Sequence, residues 1–164
     1  MTGVGPVDPA IVRVGFIGLG NVGGKLAGSL LRNGVSVVAL DLDAARVDHF
    51  VALGAVAAES PIAVTEQCDV VITCLPSPMA SAAVMEADDG VIAGLRPGTV
   101  WMEMSTTDSA EIARLGALVA GAGGAAVDCP VSGGCHRAAT GNISIFAGTD
   151  RPTFERVLPL LTIL

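Results

Sequence analysis

Residues 14–31 read VGFIGLGNVGGKLAGSLL, an apolar run that breaks into glycines at 18, 20 and 23 and then resumes with helical spacing. Few folds accommodate such a stretch. The Gly-x-Gly-x-x-Gly spacing, with a strand before it and a helix after it, turns main-chain amides toward an anion. Gly18 permits the tight turn, Gly20 removes a side chain where a pyrophosphate must approach, and Gly23 lets helix and strand pack closely. The unpaired N–H groups at the start of the helix then face the phosphates. A triphosphate loop would need glycine, four residues and then Gly-Lys-Ser/Thr. Gly24-Lys25 supplies the middle of that pattern, but positions 19 and 26 are leucine. The loop Gly18, Leu19, Gly20, Asn21, Val22, Gly23 therefore suits a dinucleotide, and Lys25 reads as a helix-surface residue.

A glycine corner alone is a weak signal. Asp41 strengthens it, because it ends the run VSVVAL and lies eighteen residues beyond Gly23. A carboxylate there can accept both ribose hydroxyls of an adenosine and repel a 2′-phosphate. Leu42 offers no cation for such a phosphate, and Arg46 lies further along the next helix. NAD is thus expected in preference to NADP.

The rest of the chain alternates in the same way. Strands are expected at 11–17, 35–40, 69–75, 99–104, 125–129 and 143–147, with a short one near 55–57. These runs are mostly continuous and apolar, as when both faces of a sheet are covered. Helical stretches lie between them. Residues 21–32 put Val22, Leu26, Leu30 and Leu31 on one side. Asp43 and Gly54 bracket AARVDHFVALG. Asp108 and Glu111 have capping-box spacing, and Asp150 precedes a helix with Pro152 in its first turn. Strand–helix alternation implies right-handed crossovers and an α/β, Rossmann-like, doubly wound and mainly parallel sheet with helices on both faces. Ligands bind such sheets beyond the carboxyl ends of the strands.

Composition narrows the function classes. The net charge of −7 argues against a nucleic-acid surface. No apolar run reaches the roughly 18 residues of a membrane span. The opening MTGVGPVDPA lacks the charges and apolar segment of a secretory signal, so 1–10 reads as a loose leader and 11–164 as one dinucleotide-binding domain. Cys68, Cys74, Cys129 and Cys135 form no C-x-x-C pair, and no metal site is expected. A cytoplasmic location is the default expectation.

Three further motifs fall at strand ends. CLPSP (74–78) is a rigid exit that can run along a cofactor. In MEMSTTDSAEI, Ser105, Thr106 and Thr107 can cap a helix, hold a nicotinamide amide, or both; capping is the commoner role. DCPVSGG (128–134) is too glycine-rich for a good helix, and its amides and hydroxyl suit either a flexible turn or a nest for a carboxylate.

Taken in order, GFIGLGNVG, LDLD, CLPSP, EMSTTD and DCPVSGG…ATGNISIFAG resemble the β-hydroxyacid dehydrogenase family. That family includes 3-hydroxyisobutyrate dehydrogenase and tartronate semialdehyde reductase and is related to 6-phosphogluconate dehydrogenase. The resemblance runs from residue 12 to 164. It implies an NAD(P)-dependent oxidoreductase moving hydride between nicotinamide and a small 3-hydroxy acid or semialdehyde. By the same resemblance Leu75, Pro76 and Thr106 contact the cofactor, and Ser132, Gly133 and Gly134 grip the substrate carboxylate.

Two departures stand out. Arg137 replaces a usual glycine, beside a His136 that is most simply a solvated loop residue. The lysine that serves the family as acid/base falls after residue 164, in the approach to a helical domain that closes the site and dimerises. This chain is therefore expected to hold no catalytic residue, to be inactive alone, and to form a homo-oligomer only in full-length form. The surface around 157–164 is expected to be apolar and exposed, or covered by a partner. The competing readings are a stand-alone dinucleotide-binding module without catalysis and a relative of imine or phosphogluconate reductases.

Overall fold

A computed structural model describes residues 5–164. Six parallel strands form its main sheet: β1 (Arg13–Ile17), β2 (Ser36–Leu40), β3 (Val56–Ala57), β4 (Val70–Thr73), β5 (Val100–Glu103) and β6 (Ala125–Asp128). Their order across the sheet is β3-β2-β1-β4-β5-β6. The chain winds outward from β1 to β3, returns, and winds the other way from β4. The reversal falls between β1 and β4, where a crevice opens at the carboxyl edge.

The apolar runs are continuous because both faces are buried. Along β4, Val70 and Ile72 join one core and Val71 the other; along β5, Val100 and Met102 face one way and Trp101 the other. The first core is closed by α1 (Gly23–Arg32), α2 (Ala44–Ala52), α6 (Gly134–Ala139) and α7 (Arg151–Leu161), through Leu26, Leu30, Phe50, Ala138, Val157 and Leu160. The second is closed by α3 (Pro61–Gln67), α4 (Pro78–Glu86) and α5 (Ser109–Gly121), through Val64, Met85, Ile112, Leu115 and Val119. Small side chains set the spacing of these layers. A β-carbon on Gly15 of β1 would run into Val64 of α3 and sit 3.3 Å from the Cys68 sulfur. Glycine is therefore what lets α3 cross so close to the sheet on its way back to β4.

Several expectations need correction. The run 143–147 does not join the main sheet. Only β8 (Ser144–Ile145) forms, pairing antiparallel with β7 (Val131–Ser132). The expected helix at 21–32 begins at Gly23, after the glycine turn. Helices α3, α4 and α6 were not anticipated. The first two are short and start on Ser60-Pro61 and Ser77-Pro78, serine caps followed by proline in the first turn.

The C-terminal segment differs as well. Val157, Leu160 and Leu164 are buried against the chain's own sheet, and the Ser29 hydroxyl donates to the Ile163 carbonyl at 2.8 Å. Of the expected apolar surface, Leu158 is left exposed. At the other end, residues 1–4 of the expected leader lie outside the described residues. Within 5–10, the Val7 amide donates to Arg156 O at 2.9 Å, and its side chain packs on the first core. Among the described residues no helix is long and apolar enough to cross a membrane.

Gly15→Ala tests the close crossing of α3. The added methyl should destabilise the fold by about 1–3 kcal/mol through overpacking, read as a lower midpoint in thermal or urea unfolding.

Candidate functional site

The glycine turn sits at the carboxyl end of β1, against the switch point. Gly18 has φ +97, a region that side chains rarely adopt. A β-carbon there would strike the Cys74 carbonyl and approach Leu75 Cδ2 at 3.0 Å. A β-carbon on Gly23 would strike the Gly18 carbonyl. At Gly20 the space is open, the nearest atom being Arg46 Nη1 at 3.8 Å. Two glycines are thus required by contact inside the protein. The middle one faces free volume, as the approach of a ligand backbone requires.

The helix caps separate this corner from the rest of the fold. Helices α2, α3, α4, α5 and α7 each begin with a side-chain cap, from Asp43, Ser60, Ser77, Asp108 and Asp150. Among the described residues, α1 and α6 lack one. The amides of Gly20, Asn21 and Val22 find no acceptor in the described chain. Donors at a helix start want a partner, and an anion is the one this end of the helix favours. Ser105, Thr106 and Thr107 do not cap α5; Asp108 does, accepting from the Glu111 amide at 2.9 Å.

Asp41 stands beside this turn and is already engaged. Its Oδ2 accepts the Leu19 amide at 2.6 Å and its Oδ1 the Asp43 amide at 2.9 Å. It therefore holds the glycine turn in place, a role the sequence did not suggest. Arg46, expected to be remote, is not: its Nη1 is 3.6 Å from Asp41 Oδ2 and its Nε 3.3 Å from Asp43 Oδ2. One helical turn of α2 swings it back over the start of the helix. Arg46, Lys25 and Cys135 line a groove of about 450 Å³ together with Leu19, Gly20 and Asn21. Lys25 lies on the outer side of α1, exposed as expected.

Leu75 and Pro76 leave β4 beside Gly18, and Pro76 is exposed. Thr106 leaves β5 exposed, with its hydroxyl donating to the Val131 carbonyl of β7 at 3.0 Å. That bond brings β7 onto the same edge. Ser132, Gly133 and Gly134 follow, all exposed, with φ +127 and +76 at the two glycines. They are not followed by loop. Gly133 is the N-cap of α6 and Gly134 its first residue, because two left-handed glycines turn the chain straight into a helix that packs on α1. The Arg137 side chain of that helix crosses Gly133: a β-carbon there would sit 2.8 Å from Arg137 Cδ. His136 is exposed on the same helix. The residues singled out from the sequence thus gather along one edge of the sheet.

One residue of this region escaped the sequence reading. Glu103, at the carboxyl end of β5, is fully buried. Its Oε2 accepts the Thr73 and Ser81 hydroxyls, each at 3.0 Å. Its Oε1 accepts the Ser105 amide at 2.8 Å and the Ser105 hydroxyl. Trp101 Nε1 donates to Thr73 Oγ1 at 2.8 Å, and the Leu75 amide to Ser105 Oγ at 2.7 Å. The one available signal was a lone carboxylate between Met102 and Met104 in an otherwise apolar run. Burial pushes its carboxyl above the ordinary glutamate value, against the opposing pull of these donors. Burial, and after it the charge of Glu103, also pushes the Cys74 thiol up to about 12, so that thiol is no nucleophile near neutral pH.

The comparisons agree with this architecture. Residues 13–164 match the family model described as the NAD binding domain of 6-phosphogluconate dehydrogenase. The chain belongs to that family. It is 36% identical to 2-(hydroxymethyl)glutarate dehydrogenase of Eubacterium barkeri, over 93% of this chain and 51% of the relative. It is also 36% identical to NAD-dependent L-serine dehydrogenase of Pseudomonas aeruginosa, over 90% of this chain and 50% of the relative. Among solved structures, Mycobacterium tuberculosis 3-hydroxyisobutyrate dehydrogenase with L-serine superposes with TM-score 0.86 at 30% identity, covering 93% of this chain and 51% of that one. Psf3 in complex with NADP+ and 2-OPP superposes with TM-score 0.88 at 30% identity, covering 92% and 53%. The chain spans about half the length of these relatives. The family and the Rossmann-like fold are thus as the resemblance implied.

The raised carboxyl of Glu103 has a signed consequence. A folded state that holds this proton more tightly than the unfolded chain is favoured in acid. That contribution is complete below the ordinary value of 4.5 and is lost as pH rises through the raised value. Glu103→Gln cannot titrate. The difference in unfolding midpoint between the natural chain and Glu103→Gln should move in the variant's favour as pH rises from 4.5, then level off.

Proposed function

We propose that this chain is the cofactor-binding part of an NAD-dependent dehydrogenase of the 3-hydroxyacid type, acting on a small hydroxy acid or semialdehyde. The observation that carries it is the uncapped turn at the switch point. Among the described residues three adjacent amides, at Gly20, Asn21 and Val22, have no acceptor and border an open space, while five other helices are capped by side chains. That arrangement fits a diphosphate.

In this reading, Gly18 to Gly23 hold the pyrophosphate, and Asp41 uses its remaining lone pairs on the adenosine ribose. Leu75, Pro76 and Thr106 lie along the nicotinamide half, and Ser132, Gly133 and Gly134 bind the carboxylate of the substrate. The names of the two dehydrogenase relatives support this substrate class. The bound nicotinamide supplies the hydride chemistry. The residues of this chain fix where it happens: the amides anchor one end, the β4 and β5 exits flank the other, and such positioning is a large share of a hydride-transfer rate.

The chain's lysine, Lys25, is exposed on the glycine-loop helix, in the groove beside Leu19, Gly20 and Asn21. It is not offered as the acid/base. The chain alone is therefore proposed to bind cofactor without turning over substrate. NAD is favoured over NADP because Asp41 stands where the ribose hydroxyls would lie and repels a 2′-phosphate, while Arg46, the cation beside it, is already paired with Asp41 and Asp43.

Titration with NADH and NADPH, followed by cofactor fluorescence, tests the assignment. NADH should bind in the micromolar range and more tightly than NADPH. Asp41→Ala removes both the tether on Leu19 and one partner of Arg46. It should weaken NADH by about tenfold or more and narrow the preference over NADPH. Equal affinity for the two cofactors in the natural chain would refute the preference. No binding of either would refute the assignment, and robust oxidation of 3-hydroxy acids by these 164 residues would refute their inactivity.

A further inference from the structure

Resting on the dinucleotide reading above, we propose that Glu103 and Ser105 are positioning residues for the cofactor, holding the Leu75-Pro76 wall of its site through the Leu75 amide. The geometry is a relay of donors running into one buried carboxylate. Leu75 N–H donates to Ser105 Oγ, and Ser105 Oγ–H donates to Glu103 Oε1. On the other carboxylate oxygen, Trp101 Nε1–H donates to Thr73 Oγ1, and Thr73 Oγ1–H donates to Glu103 Oε2. Every hydroxyl in the cluster thus has its proton committed toward Glu103, which fixes the direction of both arms.

The cluster is costly to bury. A carboxylate in an apolar core is tolerated only when its lone pairs are filled. Here four donors fill them, one from the end of β4, one from α4 and two from Ser105. Two well-packed apolar residues could join β4 to β5 as firmly. They could not hold a main-chain amide past the sheet edge. Leu75 is the first residue after Cys74, its Cδ2 lies 3.0 Å from where a Gly18 β-carbon would stand, and Cys74 packs as tightly against Gly23. The Cys74 amide ties the β4 exit to the Ile17 carbonyl at 3.0 Å, just before the pyrophosphate turn, and the Leu75 amide is the next point at which the exit is held. Among the described residues Ser105 Oγ is the acceptor of that amide, and the Ser105 amide is itself held by Glu103.

The other arm of the cluster ends on the chain's single tryptophan. Trp101 is buried, and its indole N–H is bonded to Thr73 Oγ1, two residues before Leu75 and itself a donor to Glu103. Its emission reports whether NAD+ binding at the wall reaches this cluster, a change that lost stability alone does not produce. NAD+ is the probe, because it does not absorb where tryptophan emits.

The experiment titrates NAD+ into the natural chain, Ser105→Ala and Val119→Ala, with affinity read by calorimetry and Trp101 read by emission wavelength. Val119 lies on the buried face of α5 in the second core and serves as a purely destabilised control. In the natural chain, NAD+ should shift the Trp101 emission. Ser105→Ala should bind about tenfold more weakly, the cost of freeing one buried amide, and at saturation its Trp101 emission should move less than that of the natural chain. Val119→Ala should lower the unfolding midpoint, yet keep both the affinity and the emission shift. Ser105→Ala binding as tightly as the natural chain would overturn the proposal alone. So would Val119→Ala losing affinity in step with its stability. A natural chain that binds no NAD+ would overturn the dinucleotide reading, and this proposal with it.

Discussion

Nothing larger than hydrogen fits on the α-carbon of Gly23, because the carbonyl of Gly18 occupies the place of a side chain. That contact brings the first turn of α1 down onto the end of β1. It settles where the helix points and leaves its leading amides outside the fold. The same squeeze recurs at Gly18 against Cys74, so β1, α1 and the β4 exit meet within a few ångströms. The strand order reverses at this place, and the crevice there exists because no connection covers it. A fold that closed the corner with side chains would be more compact but would have nowhere to put a diphosphate.

Much of this was readable before any coordinates. Continuous apolar strands with small residues between them specify a sheet buried on both faces, and the main-sheet strands were found for that reason. The glycine spacing specified three different demands, and each glycine meets the one assigned to it: turn, open approach, close packing. What failed was mostly short or non-local. Helices α3 and α6 are too brief to show periodicity. The nine residues of α4 are apolar on all sides, so no face stands out. Ser60-Pro61 and Ser77-Pro78 were legible start signals. The second stands directly behind an apolar strand, where CLPSP reads equally well as a strand-to-loop exit. The run 143–147 has strand composition, but its partner is the two-residue β7, and only tertiary pairing could reveal that. The C-terminal segment looked exposed because its apolar residues were matched to a missing partner, when the sheet face nearby was free to take them.

Polar residues inside the core carried the least sequence signal and much of the organisation. Asp41 was recognised by position, yet one of its bonds goes to the amide of Leu19. Glu103 was passed over as part of a strand. Both are carboxylates that tie one segment to another, Asp41 through the Leu19 amide and Glu103 through hydroxyls, one of which, that of Ser105, in turn takes the Leu75 amide. A sequence shows the acceptor but not the amide it chooses. Such bonds become visible only when chain segments separated by 22 or 30 residues are brought together. The structure therefore adds most where an acid near the sheet edge has more than one possible partner.

The Asp41 corner shows how these partners combine. Its carboxylate holds the glycine turn and sits beside Arg46, and in the proposed reading it also has to face a ribose. An anion that receives two main-chain amides is already well stabilised, so a third partner gains less from it than a free aspartate would offer. Arg46 is half exposed and shared with Asp43, and an ion pair in that setting is weak. The guanidinium also borders the open face of Gly20, 3.8 Å from where a β-carbon would stand. On the reading proposed above, the preference of this corner for an unphosphorylated ribose rests on the Asp41 carboxylate at its centre. It is correspondingly graded: with Arg46 and Lys25 close by, one acid facing a 2′-phosphate disfavours it without excluding it. Salt, which screens exposed charges, should then erode discrimination between cofactors before it erodes binding, because the diphosphate would be held mainly by oriented amides at short range.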